Sequence, residues 1–134
     1  MTSNKFKILC IFAVLGLLAL ACGFNVSTAN ISNTYMAFDP DGTQPTTVYN
    51  QDAIFYAIVV LSNAPDDTTV RAVWTAVNAE GAAPNTQIDD VSITSGDAQL
   101  YFSLTPETLW ALGQYRVDLY LNDKLNTSLD FQVQ

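Results

Sequence analysis

The stretch that most constrains the fold is 115–121, in which large apolar side chains alternate with mainly polar ones. The apolar positions are Tyr115, Val117, Leu119 and Leu121. A period of two residues is that of a β-strand with one face in the core and one face in solvent. The sequence therefore predicts a half-buried central strand, preceded by a turn at Gly113.

The rest of the chain after residue 30 contains further short segments with strand character, separated by turn residues. These segments are residues 31–38, 53–62, 69–77, 86–95, 98–104 and 125–133. Residues 86–95 predict one weaker strand or two, and Asn122-Asp123 predicts a tight hairpin. About seven short strands, with a turn roughly every eight to twelve residues, predict an all-β, antiparallel, two-sheet sandwich.

A helix-start signal follows the strand at 98–104. Thr105 suits an N-cap, Pro106 the first helical position and Glu107 the first turn, and Gly113 suits a helix end. The sequence therefore predicts one short helical turn at this crossover.

Two positions resemble those of a known fold. Gly113 stands two residues before Tyr115, which resembles the tyrosine corner of immunoglobulin-like sandwiches, where the phenol binds backbone at the crossover into strand F. Trp74, on the third main strand, resembles the buried strand-C tryptophan. The resemblance covers about residues 31–134 and implies an immunoglobulin-like β-sandwich of about seven strands.

The N-terminal segment has the pattern of an export signal. Lys5 and Lys7 supply positive charge, and the apolar run 8–21 is shorter than the roughly 20 residues of a membrane-spanning helix. The run ends in Ala19-Leu20-Ala21-Cys22, which resembles the lipobox of bacterial lipoproteins. This resemblance implies cleavage before Cys22 and a covalent diacylglycerol and acyl lipid, such as palmitate, on Cys22.

The lipobox resemblance implies three parts: a signal peptide at 1–21, a lipidated cysteine with a tether at 22–30, and the sandwich at 31–134. It implies an extracytoplasmic protein held by lipid at the cell surface or the periplasmic face. Cys10 falls in the removed segment, so no disulfide can form within the domain. The core is therefore expected to depend on packing alone.

The mature chain is strongly acidic. Without residues 1–21 it has three basic residues, Arg71, Arg116 and Lys124, against thirteen acidic ones, a net charge of −10. Such a domain is repelled by phosphate backbones. Nucleic acid is therefore excluded as a partner.

The composition supplies little for catalysis. The chain has no histidine, and after cleavage it has no free thiol, so neither a Ser/His or Cys/His nucleophile nor a zinc site can be built. The carboxylate pairs Asp66-Asp67 and Asp89-Asp90 are expected to be ionised loop neighbours, which gives no general acid. We therefore expect a protein that is not an enzyme and has no cofactor besides its lipid.

Asp39 and Asp41, beside Gly42, are weak candidate calcium ligands. Hard carboxylate oxygens around a glycine turn suit calcium, but position 44 is glutamine and the next acid is Asp52. Turn chemistry explains the same residues. The sequence therefore favours a turn over a metal site.

Aromatic residues supply the candidate binding surface. The resemblance implies that 53–62 and 98–104 share a sheet, where Tyr56 and Tyr101 would lie on an exposed apolar patch, unless loops shield it. Trp110 is interpreted as a plug of the core. We expect a non-catalytic, lipid-anchored envelope protein that binds a protein partner or serves as an accessory subunit of a membrane-associated assembly. The alternative is a calcium-dependent or carbohydrate-binding surface module.

Overall fold

The computed structural model describes residues 27–134, which form eight β-strands. They are β1 (Asn30–Ala37), β2 (Val48–Tyr49), β3 (Phe55–Ser62), β4 (Thr68–Ala79), β5 (Thr86–Ser95), β6 (Ala98–Leu104), β7 (Gly113–Leu121) and β8 (Lys124–Val133). The predicted signal peptide and Cys22 lie outside the described residues. Within 27–134, no helix is long and apolar enough to cross a membrane.

The strands form two sheets that pack face to face. One sheet has the order β1-β3-β6, and the other has the order β2-β8-β7-β4-β5. All neighbouring strands pair antiparallel except β2 and β8, which are parallel. The predicted all-β, two-sheet sandwich is confirmed, and so is the placement of 53–62 and 98–104 in one sheet.

The predicted helical turn before β7 is wrong. Residues 105–112 contain no helix; long-range hydrogen bonds hold this segment instead. The Trp110 amide donates to the Gln51 carbonyl at 2.8 Å, and the Glu80 amide donates to the Leu112 carbonyl at 2.9 Å. A single helical turn is a costly nucleus with few bonds of its own, so these tertiary bonds override the local signals.

Two further details differ from, or complete, the sequence prediction. The two-residue strand β2 was not predicted, because two residues are too few to show an alternation. Residues 86–95 form one strand, β5, which pairs with β4 along its length.

The core is built from alternate residues of both sheets and is rich in aromatic rings. On β3, Phe55 is fully buried, as are its inward-facing neighbours Ala57 and Val59. The Phe55 ring lies 4.7 Å from that of Phe131, centroid to centroid. Trp74, also buried, packs within the same cluster.

The turn into β7 is fixed by a glycine and a phenol. Gly113 has a φ of 147°, and a Cβ there would collide with the Asn78 carbonyl of the neighbouring strand β4, so only glycine fits. The Tyr115 hydroxyl donates a hydrogen bond of 2.6 Å to the Ala111 carbonyl. Burial raises the pKa of Tyr115, which keeps this hydroxyl protonated and able to donate.

Replacing Tyr115→Phe is expected to lower the free energy of unfolding by about 1 kcal/mol, because the Ala111 carbonyl loses its donor. Urea unfolding of the chain from Gly23 onward measures the change. Tyr101→Phe, which removes an exposed hydroxyl, is the matched control. Equal stability of the Tyr115→Phe variant and the unsubstituted chain would contradict a stabilising tyrosine corner.

Candidate functional site

The structure brings the two predicted binding tyrosines together on the outer face of the three-stranded sheet. Tyr56 lies on β3 and Tyr101 on β6, and their rings meet edge to face with centroids 6.0 Å apart. Tyr101 is 50% exposed, whereas Tyr56 is half-buried. The pair forms a small exposed aromatic surface, which we call the tyrosine pair.

The apolar surface around the tyrosine pair is narrower than the sequence suggests, because a loop covers part of it. Ile58 points outward from β3, yet it is fully buried. A Cβ on Gly42 would lie 3.1 Å from the Ile58 Cγ1 atom, so the loop at 39–44 packs directly on this side chain. The Gln99 side-chain Nε2 donates to the Asp41 carbonyl at 2.9 Å and holds the loop in place.

The weak calcium candidates, Asp39 and Asp41, form hydrogen bonds that stabilise the loop at 39–44. The Asp39 carboxylate accepts hydrogen bonds from the Thr43 hydroxyl at 2.6 Å, the Thr43 amide at 3.0 Å and the Gln44 amide at 2.9 Å. The bond from the Thr43 hydroxyl is the main cause that holds the pKa of Asp39 below its ordinary value. Across the described part of the chain, no three Asp, Glu, His or Cys side chains come together as metal ligands.

The paired aspartates lie apart from one another, and one pair is not in a loop. Asp66-Asp67 forms the turn between β3 and β4, whereas Asp89 and Asp90 lie within β5, so the prediction of a loop there is wrong. Asp90 accepts two 2.7 Å hydrogen bonds from Arg71, which lower the pKa of its carboxyl. The Asp89 carboxylate accepts the amide of Asp90 at 2.9 Å.

A groove that the sequence did not predict opens at one end of the sandwich. It has a volume of about 680 Å³ and lies between β5 and the segment 105–111 that follows β6. Small side chains, including Ala76 and Ala79, form its floor. Ile88 lies on the β5 side and Leu109 on the other, so both walls of this groove carry apolar side chains.

The groove exists because the two sheets differ in width. β5 is the outermost strand of the five-stranded sheet and β6 is the outermost strand of the three-stranded one. Val91 is directly opposite the core residue Ala72 in the β4–β5 pairing, so it points to the inner face of the sheet. It is nevertheless 39% exposed, because the narrower sheet does not extend over β5.

Trp110 fixes the far wall of the groove. Its ring stacks on Phe55 with centroids 4.5 Å apart, and its Nε1 donates to the Ala53 carbonyl at 2.8 Å. The Gln51 side-chain amide donates to the Trp110 carbonyl at 2.9 Å. The indole therefore plugs this end of the core, while its half-buried edge lines the groove.

The groove is negatively charged. Asp89 and Glu107 line it, and none of the lining residues within 27–134 is basic. Arg71 and Arg116 are engaged in ion pairs with Asp90 and Asp130 at 2.7 and 2.8 Å. The site can therefore offer apolar contacts and carboxylates to a ligand.

Comparisons with known proteins show the fold alone. No protein-family model matches the chain, and no curated protein sequence matches it. An immunoglobulin-like protein from Pseudomonas aeruginosa is similar in structure, with a TM-score of 0.52 and 15% identity over 83% of this chain and 100% of that one. The alkylpurine DNA glycosylase AlkC from Pseudomonas fluorescens, bound to DNA containing an abasic site analogue, has a TM-score of 0.53 and 14% identity.

The chain corresponds to the whole of the first of these proteins and to a part of the second. The match covers 81% of this chain and 31% of the glycosylase. At these identities the likeness extends to the fold and no further. The domain is therefore an immunoglobulin-like β-sandwich, as the resemblance of Tyr115 and Trp74 implied.

Asp39→Asn is expected to lower stability near neutral pH and to flatten the acid limb of the stability profile. The pKa of Asp39 is lower in the folded state than in the unfolded chain, where it is about 4. The stabilisation by the Asp39 carboxylate is therefore fully present above the unfolded-state pKa and is lost as pH falls through the folded-state pKa. Urea unfolding at a series of pH values measures this. Asp41→Asn, in the same loop, is the matched control, and identical profiles for the two variants would contradict the role of Asp39.

Proposed function

We propose that this protein is a non-catalytic, lipid-anchored envelope protein whose immunoglobulin-like domain binds a protein partner, alone or as an accessory subunit of a membrane-associated assembly. The lipobox-like sequence ending at Cys22 supports the anchor. The fold supports the binding role, because a rigid sandwich presents loops and sheet faces to partners.

The observation that carries the proposal is where the tether meets the domain. The Thr28 hydroxyl donates to the Asn63 carbonyl at 2.8 Å, and the Ser27 hydroxyl accepts a hydrogen bond from the Asn122 side chain at 3.4 Å. Both partners lie in turns at one end of the sandwich. The five peptide units that join Cys22 to Ser27 span at most about 18 Å, so a lipid on Cys22 would hold this end next to the membrane.

The end that would face the membrane is acidic. Its turns carry four aspartates, Asp66, Asp67, Asp97 and Asp123, with Lys124 beside them. Anionic lipid headgroups repel such a surface. The proposed arrangement is therefore a domain that is tethered by this end without lying flat on the bilayer, which leaves the tyrosine pair and the groove free for a partner.

The lipid anchor is tested by Cys22→Ser, with Cys10→Ser as the matched control. We expect radiolabelled palmitate to enter the unsubstituted chain and the Cys10→Ser variant but not the Cys22→Ser variant. The Cys22→Ser precursor should also remain uncleaved, because the lipobox resemblance implies cleavage directly before this cysteine. Palmitate incorporation into the Cys22→Ser variant would contradict the proposed site.

Partner binding is tested by incubating the chain from Gly23 onward with solubilised envelope, in calcium and in EDTA. We expect a stoichiometric protein partner that is retained in EDTA and lost with Tyr101→Ser, because this change removes the more exposed ring of the tyrosine pair. Tyr120→Ser, on the other sheet, is the control, and circular dichroism checks folding. Recovery of a ligand in calcium only would instead favour the calcium-dependent alternative.

A further inference from the structure

The groove between β5 and the segment 105–111 contains exposed apolar side chains that do not contribute to the core. Leu109 is 66% exposed and Ile88 is 36% exposed, and they lie on different walls of the same groove. A single exposed leucine is ordinary on a protein surface. Two apolar walls above an alanine floor instead form a concave site of the size that accepts several side chains.

The wall that carries Leu109 is held in place. The Trp110 amide and carbonyl both form hydrogen bonds with Gln51, and the Ala111 carbonyl accepts a hydrogen bond from the Tyr115 hydroxyl. The two residues that follow Leu109 are therefore held in place by the core. A preformed wall reduces the entropy that a ligand must overcome on binding, which distinguishes this segment from a mobile surface loop.

Charge decides what kind of ligand fits. Asp89 and Glu107 lie on the two sides of the groove, and the described part of the chain places no basic side chain in it. Arg71 and Arg116 are paired elsewhere, and Lys124 begins β8 at the end of the domain near the tether. The carboxylates of the groove are therefore available to positive charge from another molecule.

We propose that this groove binds a short cationic segment of a partner protein, with apolar side chains between Ile88 and Leu109 and lysine or arginine side chains at Asp89 and Glu107. The inference rests on the proposed partner-binding function and gives the chemistry of the partner. A second copy of this chain is a poor occupant, because residues 27–134 of each copy carry three basic residues against thirteen acidic ones and would bring further carboxylates to the groove.

The test uses a blocked peptide, Lys-Val-Lys-Leu-Lys, titrated into the full chain in neutral detergent. Binding is followed by calorimetry and by tryptophan emission, since Trp110 lines the groove while Trp74 is buried. Two matched peptides separate the contributions: Glu-Val-Glu-Leu-Glu reverses the charge, and Lys-Ser-Lys-Ser-Lys removes the apolar side chains. We expect only the first peptide to bind measurably, more weakly as salt is raised.

Variants of the groove locate the binding. Leu109→Ser is expected to weaken binding roughly tenfold, because a well-exposed leucine loses its apolar contact. The double change Asp89→Asn and Glu107→Gln is expected to weaken it several-fold. Leu125→Ser and Asp123→Asn, an exposed leucine and an acid near the tether end, are the matched controls and should leave the affinity unchanged.

Three outcomes would overturn the inference. The first is no binding of Lys-Val-Lys-Leu-Lys, and the second is binding of this peptide that is insensitive to Leu109→Ser. The third is equal binding of Lys-Ser-Lys-Ser-Lys, which would indicate unspecific attraction to an acidic protein. None of them removes the proposed function if a partner is still captured in a Tyr101-dependent manner. Conversely, if the peptide binds but no envelope partner is captured, the groove is supported as a peptide-binding site and the proposed function is contradicted.

Discussion

The fold depends on the packing of aromatic rings around Phe55, because the domain contains no cysteine with which to form a disulfide. Phe55 comes from the three-stranded sheet, and most of its neighbours come from the five-stranded one. Its ring lies 4.5 to 6.3 Å, centroid to centroid, from those of Tyr49, Trp74, Trp110, Tyr115 and Phe131. Each such contact adds about 0.5–1.5 kcal/mol to stability beyond the burial of apolar area, so this cluster links the two sheets in the absence of a disulfide.

The same cluster shapes the candidate site. Trp110 and Tyr115 belong to it. The Trp110 Nε1 donates to the Ala53 carbonyl and so ties the crossover between β6 and β7 to the segment before β3, and the Tyr115 hydroxyl donates to the Ala111 carbonyl within the crossover. The wall of the groove is therefore an extension of the core rather than an independent loop. β4 runs from the turns near the tether to the groove, so a partner in the groove would be bound at the end opposite to the anchor in the proposed arrangement.

Most strands were predictable from the sequence because they place apolar side chains at alternate positions, as at 115–121, or form a short apolar run, as at 53–62. The crossover was not, because Thr105 and Pro106 give local helix signals while the bonds that decide its conformation reach Gln51 and Glu80, far away in the chain. β2 escaped prediction for a related reason, since its two residues are fixed by parallel pairing with β8. Local patterns predict elements, and long-range bonds decide the connections.

The candidate site was less predictable than the fold. Alternation placed Tyr101 on an outer face, but both faces of 53–62 are apolar, so the outward position of Tyr56 followed only from the structure. Ile58 is buried on that face by the loop at Gly42, and no periodicity in the sequence indicates which loop folds onto which sheet. The groove depends on a count of strands: with three opposite five, the inner face of β5 is only partly covered. Ile88 and Asp89 have an unremarkable sequence context, and they become neighbours of Leu109 and Glu107 only because β5 and β6 are the outer strands of sheets of unequal width. Surfaces that arise from such a mismatch are therefore best sought at the edges of the narrower sheet.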